Sequence, residues 1–244
     1  VRKARLSVTV LLVLPAAMAV MCVVGGAAID TTTLSGKWLA ASVPATLVVG
    51  ALLMLAEQVA RAGRKHEAYL WHLWGGPPLN QAIQGHGTEE HRQTWAMIRD
   101  HLESQVGKPN DDPKSRHLET ELKEATRDVD RFPRVFAENC SYGFRRNLWG
   151  VKSWGIASSL FAVVTGGVLI WMEISQPIWP VLPIATLIVG LVGLVLWMFV
   201  NRTFVHQAAL AYTAAMRNAG TKLLQEARRD ASKDAGPPPR SDVA

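Results

Sequence analysis

The sequence predicts an all-α integral membrane protein with two transmembrane helical hairpins, which make four spans, and a helical cytoplasmic domain. The first observation behind this prediction is composition, since 49% of the 244 residues are hydrophobic, only 19% are charged, and the mean hydropathy is +0.11. The second is the grouping of apolar residues in long blocks, whereas a soluble domain alternates apolar and polar residues. The third is the position of the cations beside those blocks, which orients the spans.

Four runs contain no Asp, Glu, Lys or Arg and are close to the length of about 20 residues that a helix needs to cross a bilayer. They are residues 6–29, 38–56, 153–172 and 177–200. The links inside each pair are short, which forces antiparallel neighbours and predicts hairpins at 1–57 and 153–200. The first run also resembles a secretory signal peptide, but it exceeds the usual apolar core of about 7 to 15 residues, so we expect an uncleaved anchor.

The cations orient the spans, because Lys and Arg near span ends are retained on the cytoplasmic side of a membrane. With both termini inside, Lys37 is the only one of the 26 Lys and Arg residues outside the cytoplasm. Indole prefers the membrane interface, and the expected anchors are Trp38, Trp171 and Trp179 outside and Trp154 and Trp197 inside. Val1 suits a non-ATG start codon, so we expect the inner membrane of a bacterium.

The other residues predict a helical cytoplasmic domain over 58–152, a cytoplasmic C-terminal helix over 201–231 and a disordered tail over 232–244. We expect the second span to continue as a helix to Gly75, where glycine and proline stop it, and another helix over 89–106. From Lys114 the apolar spacing of 3 and 4 resembles a coiled-coil seam, which we interpret as part of a helical hairpin within the domain. Its positions are Leu118, Leu122, Ala125, Val129 and Phe132.

Small residues recur at helical spacing in two spans, on stripes against which another helix can pack closely. The second span carries Ser42, Thr46 and Gly50, and the third carries Ser158, Ala162 and Gly166. The first interpretation is packing among the helices of one chain. The second is that one stripe forms a homo-oligomer, and a ring of such chains could enclose a pore.

No pattern in the sequence predicts a cofactor or a metal site. The histidines at 86 and 91 lack the H-E-x-x-H spacing that places two zinc ligands on one helical face, and two cysteines are too few for a cysteine-only zinc site. Phosphate-binding glycine motifs are absent. Nucleic acid is not an expected partner, because 15 Lys and Arg are interspersed with 13 Asp and Glu over 58–152, so that no basic face forms.

The most distinctive segment is residues 132–152, where aromatic residues alternate with cations just before the third span. We expect contacts there with anionic lipid headgroups or with a partner, because each juxtamembrane Lys or Arg contributes about 1 kcal/mol toward an anionic surface. A topology signal with tryptophan anchors explains the cations but not the neighbouring polar residues, which suit a folded turn. The predicted contact residues are Phe132, Glu138, Asn139, Tyr142, Arg145, Arg146, Asn147 and Lys152.

The pattern F-P-x-x-F-x-E-N-x-x-Y-G-F-R-R-N-x-x-G-x-K in this segment, with the W-x-G-x-P element at 74–78, resembles a family of uncharacterised bacterial multi-pass membrane proteins. The resemblance covers most of the chain and implies two hairpins around a helical cytoplasmic region. The upstream element departs from the family pattern at Leu79 and Asn80, where a pair of threonines is expected. The family carries no activity, so the resemblance implies architecture only.

These observations favour a non-enzymatic oligomeric membrane scaffold or effector with a cytoplasmic interaction domain. Its expected partners are the lipid bilayer, through anionic headgroups, and further copies of the chain. The first alternative is a pore or channel formed by oligomerised spans. The second is a membrane-associated enzyme that uses Glu138, Tyr142 and Arg145 at the cytoplasmic lipid surface.

Overall fold

The computed structural model describes residues 9–10, 13–17, 34–106, 114–173 and 181–234. All regular secondary structure in these residues is helical, and they contain no strand. The helices are α1 (Leu34–Trp74), α2 (Pro78–Ile83), α3 (Glu89–Val106), α4 (Lys114–Ala125), α5 (Pro133–Gly150), α6 (Lys152–Glu173), α7 (Val181–Phe199) and α8 (Arg202–Asp234). The all-α prediction is therefore confirmed for the part of the chain that the structure describes.

The four predicted spans are described to different extents. Of the first predicted span (6–29), only residues 9–10 and 13–17 are described, and these are helical, whereas the described parts of the other three predicted spans lie mainly in α1, α6 and α7. Among the described residues, the segment Lys152–Met172 is long and apolar enough to cross a membrane. Only 22% of its most apolar stretch is buried inside the protein. The pair Pro183–Phe199 and Arg202–Lys233, bent by 58°, also qualifies as a broken span. By length and composition, the described residues thus contain one or two helices able to cross a membrane.

The chain divides into two compact units. Unit 1 comprises Val1–Leu70 and Cys140–His206, and unit 2 comprises Trp71–Asn139 and Gln207–Ala244. Unit 1 therefore contains the predicted spans, and unit 2 contains much of the predicted cytoplasmic domain with most of the C-terminal helix. The predicted tail at 232–244 begins inside α8, and residues 235–244 lie outside the described residues.

In unit 1, α6 and α7 pack against each other in antiparallel fashion along small residues. A Cβ atom placed on Gly155 would lie 2.0 Å from the Trp197 ring, and one placed on Gly166 would lie 2.8 Å from the Leu187 amide nitrogen. Glycine at these positions allows the two helix backbones to approach closely. Trp197, expected at the inner interface, is instead buried in this packing with 1% of its surface exposed. The expected anchors Trp154 and Trp171 are 72% and 75% exposed, respectively.

Unit 2 has a hydrophobic core of its own, to which α2, α3, α4, the start of α5 and α8 contribute. The core side chains of α3 follow helical spacing and face those of α4, because both helices carry one apolar stripe. The buried members are Leu79, Ile83, Trp95, Ile98, Leu102, Leu118, Leu122, Phe132, Val135, Ala215, Met216 and Ala219.

The helix α1 ends at the glycine pair that the sequence singled out. Gly75 has a φ of +76°, which glycine adopts without strain. The Gly75 N–H donates to the His72 carbonyl (3.3 Å) and the Gly76 N–H to the Trp71 carbonyl (2.8 Å), which is a Schellman motif. The Gln81 side-chain amide then donates to the Trp74 carbonyl at 2.6 Å.

Two local predictions between residues 114 and 150 are corrected. The predicted seam does not form one helix to Phe132, because α4 ends at Ala125. The Asp128 carboxylate accepts the backbone N–H groups of Asp130 (2.9 Å) and Arg131 (3.2 Å), and this turn leaves Val129 44% exposed. The expected folded turn after Phe132 is instead the 18-residue helix α5, which begins with Pro133 at a position where its missing N–H costs nothing.

Candidate functional site at the junction of α1, α5 and α8

The distinctive segment at 132–152 is shared between the two units. Its first part belongs to unit 2, where Phe132 is 5% exposed within the core and has the Lys222 ammonium group 5.2 Å from its ring centre. Glu138 is half-buried and Asn139 is exposed in the same unit. The second part belongs to unit 1, and it brings five of the predicted residues to one junction of helices. They are Tyr142, Arg145, Arg146, Asn147 and Lys152.

The junction begins with a close crossing of α1 and α5 at two glycines. A Cβ atom on Gly150 would lie 2.6 Å from the Gly63 amide nitrogen and 2.8 Å from the Gly63 Cα. A Cβ atom on Gly63 would lie 2.2 Å from the Asn147 Oδ1 and 3.0 Å from the Asn147 Cα. Asn147 is accordingly 4% exposed. The two backbones therefore touch here, and neither glycine position has room for a side chain.

One helical turn from this crossing, the carboxylate of Glu67 joins two side chains of α5. The Tyr142 hydroxyl donates to Glu67 Oε1 at 2.8 Å, and the Arg146 guanidinium donates to Glu67 Oε2 at 2.8 Å. The ion pair is largely withdrawn from water, with 18% of the Arg146 side chain and 14% of the Glu67 side chain exposed. A pair of this kind fixes the register of two helices, because leaving either charge alone at that burial is costly.

The other two cations of the segment hold the break between α7 and α8. The Lys152 ammonium group donates to the Val200 carbonyl at 2.7 Å, where a cation also suits the negative end of the α7 dipole. The Arg145 guanidinium donates to the Phe204 carbonyl at 3.1 Å and lies 4.5 Å from the centre of the Phe204 ring. Asn201 caps the start of α8 by accepting the Phe204 N–H at 2.8 Å.

An apolar cluster lies beside these polar contacts in unit 1. Its buried members are Val59, Leu148, Val151, Trp197 and Val200, and the partly buried Phe144, Trp149, Ile156 and Phe204 pack against them. The cluster joins α1, α5, α6, α7 and α8 at the end of the α6–α7 hairpin that carries Lys152. Apolar packing and hydrogen bonds therefore both hold the helices together at this junction.

Glu67 is the principal residue of the junction that the sequence analysis missed. A signal for it exists, because Glu67 is the only acidic residue between positions 58 and 88, a stretch that contains Arg61, Arg64 and Lys65. A lone carboxylate in such a stretch points to a specific cation partner. The carbonyl acceptors at Val200 and Phe204 had no such signal, since backbone acceptors leave no mark in a sequence.

The contacts at the junction hold its helices together. Among its described groups, none form a cluster that could hold a metal ion. Among the described residues, no three His, Cys, Asp or Glu side chains come together at metal-binding distances. The predicted packing stripe of the third span is occupied within the chain, since Ala162 is 0% exposed and Gly166 contacts α7, while Ser158 is half-buried. The side chains of Ser42, Thr46 and Gly50 lie outside the described residues.

Comparisons of the chain with known protein families, with curated proteins and with solved structures find no match. The resemblance of the 132–152 segment to a family of multi-pass membrane proteins stays a prediction. The predicted contact of this segment with headgroups or a partner also stays a prediction. The geometry adds an observation of its own, which is that the polar groups of the segment hold helices of one chain together.

Proposed function

We propose that the chain is a multi-pass inner-membrane protein with both termini in the cytoplasm, and that it acts as a non-enzymatic oligomeric scaffold. In this proposal, unit 1 is the membrane-embedded anchor and unit 2 is the cytoplasmic interaction domain. The junction of α1, α5 and α8 keeps the anchor rigid near the membrane surface. The proposal assigns no chemical reaction to the chain.

The observation that carries the proposal is that the polar side chains of the segment hydrogen-bond to other helices of the same chain. An enzyme acting through Tyr142 and Arg145 would need those groups to reach a substrate. Instead, the Tyr142 hydroxyl donates to Glu67 and the Arg145 guanidinium donates to the Phe204 carbonyl while it stacks on the Phe204 ring. These contacts give both side chains a structural task, which favours a scaffold over the enzyme alternative.

The exposed surface of α6 and α7 supports the embedding of unit 1 in lipid. Large apolar side chains cover these two helices on the sides away from their mutual contact, and a patch of this kind on a soluble protein would be unusual. The side chains include Leu160, Phe161, Val164, Val168, Ile184, Ile188, Leu191, Val192, Val195 and Leu196, each at least 42% exposed. Their faces suit hydrocarbon, and a low buried fraction distinguishes α6 from the core helix of a soluble domain.

The proposed oligomer uses the stripe of Ser42, Thr46 and Gly50 on the second span. The corresponding stripe on the third span is already filled by α7 within the same chain, since Ala162 and Gly166 are both buried. The second-span stripe therefore becomes the preferred surface for a second copy. Small residues there would allow two helices from different chains to approach closely.

Native mass spectrometry of the purified full chain in a mild detergent tests the scaffold proposal. We expect an oligomer for the natural sequence and a shift toward monomer for Gly50→Leu, which fills the stripe. Gly167→Leu serves as the matched control, because a Cβ atom there would meet nothing within 4 Å. A natural chain that is strictly monomeric would contradict the oligomeric scaffold.

The proposed topology has an independent test in living bacteria. A fluorescent protein fused after residue 244 folds only in the cytoplasm, whereas alkaline phosphatase is active only in the periplasm. We expect fluorescence from the C-terminal fusion and phosphatase activity from a fusion in the 30–37 link. The reverse pattern would contradict the orientation.

A further inference from the structure

Unit 1 carries two sets of cations near the ends of its apolar helices, and the two sets differ in exposure. In the first set, Arg145, Arg146 and Lys152 each donate to an acceptor within the unit. In the second set, the Arg61 side chain is 65% exposed and the Arg64 side chain is 46% exposed. The cations at 145, 146 and 152 are half-buried, whereas those at 61, 64, 65 and 202 are exposed, so the second set is the more accessible to a charged ligand.

The second set is arranged along one side of α1. Arg61, Lys65 and Tyr69 follow each other at spacings of four residues, which places them on neighbouring turns of one helix face. Arg202, at the start of α8, donates to the Tyr69 hydroxyl at 3.1 Å, and its guanidinium lies 5.7 Å from the centre of the Tyr69 ring. We call Arg61, Arg64, Lys65 and Arg202 the cation row.

The cation row carries an excess of positive charge. Glu57 is the carboxylate that pairs with it, at 3.7 Å from Arg61 and 3.2 Å from Arg64. Among the described side chains, no carboxylate forms an ion pair with Lys65 or Arg202. Four cations with one paired carboxylate between them attract anions, and this attraction is strongest within a Debye length of about 8 Å at physiological salt.

The surface next to the cation row changes from apolar to cationic within about two turns on two different helices. On α1, Met54 is 77% exposed and precedes Arg61. At the end of α7, Met198 is 76% exposed and Phe199 is 69% exposed, and Arg202 follows them at the start of α8. Exposed apolar residues followed at once by exposed cations are typical of the level at which a helix leaves hydrocarbon and enters the headgroups.

From this charge and position, we propose that the cation row binds the anionic phospholipid headgroups of the cytoplasmic leaflet. The cations at 145, 146 and 152, for which the sequence predicts contact with headgroups or a partner, each have an acceptor within the chain. The inference rests on the proposed insertion of unit 1 in a membrane. It names the lipid class that the anchor selects.

The test uses the full chain reconstituted in vesicles that contain equal amounts of phosphatidylglycerol and phosphatidylcholine. After re-extraction in mild detergent, the ratio of the two retained lipids is measured by mass spectrometry. The variant R61Q/K65Q/R202Q removes three charges and leaves the Arg64–Glu57 pair in place. The matched control R228Q/R229Q/K233Q removes three exposed charges from unit 2.

We expect the natural chain and the control to retain phosphatidylglycerol preferentially. In the cation-row variant, the ratio of retained phosphatidylglycerol to phosphatidylcholine should fall at least tenfold. The basis is a loss of about fivefold for each cation removed near an anionic surface. The charge-preserving variant R61K/R202K should keep the preference, which separates loss of charge from misfolding. An unchanged lipid ratio in the cation-row variant, or an equal loss in the control, would overturn the inference.

Carbonate extraction of the same vesicles separates this inference from the proposal beneath it. Release of the chain by carbonate would show that unit 1 is not inserted, and the scaffold proposal itself would then fail. Retention of the chain without any preference for phosphatidylglycerol would contradict only the role of the cation row. A row that served an acidic peptide or a nucleic acid in water would give that second result.

Discussion

Replacing Gly150 by alanine tests whether the backbones of α1 and α5 touch as described. The added Cβ atom would lie 2.6 Å from the Gly63 amide nitrogen and 2.8 Å from the Ala62 carbonyl carbon. Both obstacles are backbone atoms of a long helix, so no side-chain rotation relieves the clash. The two helices would have to separate, and the contacts of Glu67 with α5 would weaken with them.

The expected loss of stability follows from the kind of clash. Overpacking in a close-packed site typically costs about 1 to 3 kcal/mol, and a backbone obstacle places Gly150→Ala in the upper part of that range. The higher helix propensity of alanine returns less than about 1 kcal/mol. We therefore expect a net loss of about 2 kcal/mol in the free energy of unfolding of unit 1.

Gly143→Ala is the matched control on the same helix. A Cβ atom at Gly143 would meet nothing within 4 Å, so this variant should gain up to about 1 kcal/mol from helix propensity. The two variants are compared by thermal unfolding in dodecyl maltoside and by amide hydrogen exchange over residues 59–67 and 144–151. Gly150→Ala should exchange faster in both stretches. If Gly150→Ala is as stable as Gly143→Ala, the helix crossing is not as we describe it.

Three further predictions concern the helix break and the core of unit 2. Asn201→Ala removes the cap of α8 and should lower the free energy of unfolding by about 1 kcal/mol, measured by thermal unfolding with Asn218→Ala, an exposed position of α8, as a control that should lose less. Lys152→Met leaves the Val200 carbonyl without its 2.7 Å donor and should cost about 1 to 2 kcal/mol; an unchanged melting temperature would contradict the role of Lys152. In unit 2, burial, and secondarily the Glu119 carboxylate, raise the pKa of Tyr212 from 10.0 to about 12. The folded state therefore favours the neutral phenol, and this stabilisation is complete below pH 10 and is lost as the pH rises from 10 through 12. The loss should be about 2 to 3 kcal/mol, and Tyr212→Phe should not show it; an identical pH dependence in the two proteins would contradict the burial of this hydroxyl.

Much of the helical content could be predicted because its determinants are local. The stop of α1 at Gly75 and Gly76 depends on residues that tolerate positive φ, and the start of α5 depends on Pro133, so both leave clear marks in the sequence. The apolar stripe of α3 likewise predicts a helix over 89–106, which the structure contains with those bounds. Such signals act within one turn or one helix and need no knowledge of the fold.

The seam predicted through Val129 shows where local reasoning ends. Its apolar spacing continues past Ala125, but Asp128 accepts two backbone N–H groups and ends the regularity. The competition between an apolar repeat and a capping carboxylate is decided by a few kcal/mol, which a pattern of spacings does not measure. The helical form of α5 was missed for a related reason, because glycines and polar residues there were read as a turn.

The candidate site was predicted in its residues but not in its arrangement. The cations and aromatic residues at 142–152 stood out in the sequence, yet their partners are Glu67, which is 75 residues distant from Tyr142, and two backbone carbonyls. A crossing of Gly63 with Gly150 is likewise non-local. Contacts of this kind depend on the tertiary packing, so the sequence pointed to the segment but not to its contacts with neighbouring helices.

A double-mutant cycle between Glu67 and Arg146 tests most directly whether this ion pair holds α5 against α1. Glu67→Ala, Arg146→Ala and the double variant are compared with the natural chain by unfolding in detergent, and the interaction energy is the difference from additivity. For an ion pair of this burial, we expect an interaction energy of about 2 kcal/mol. Additivity within about 0.5 kcal/mol would show that the two side chains do not act on each other, and the account of the junction would be wrong.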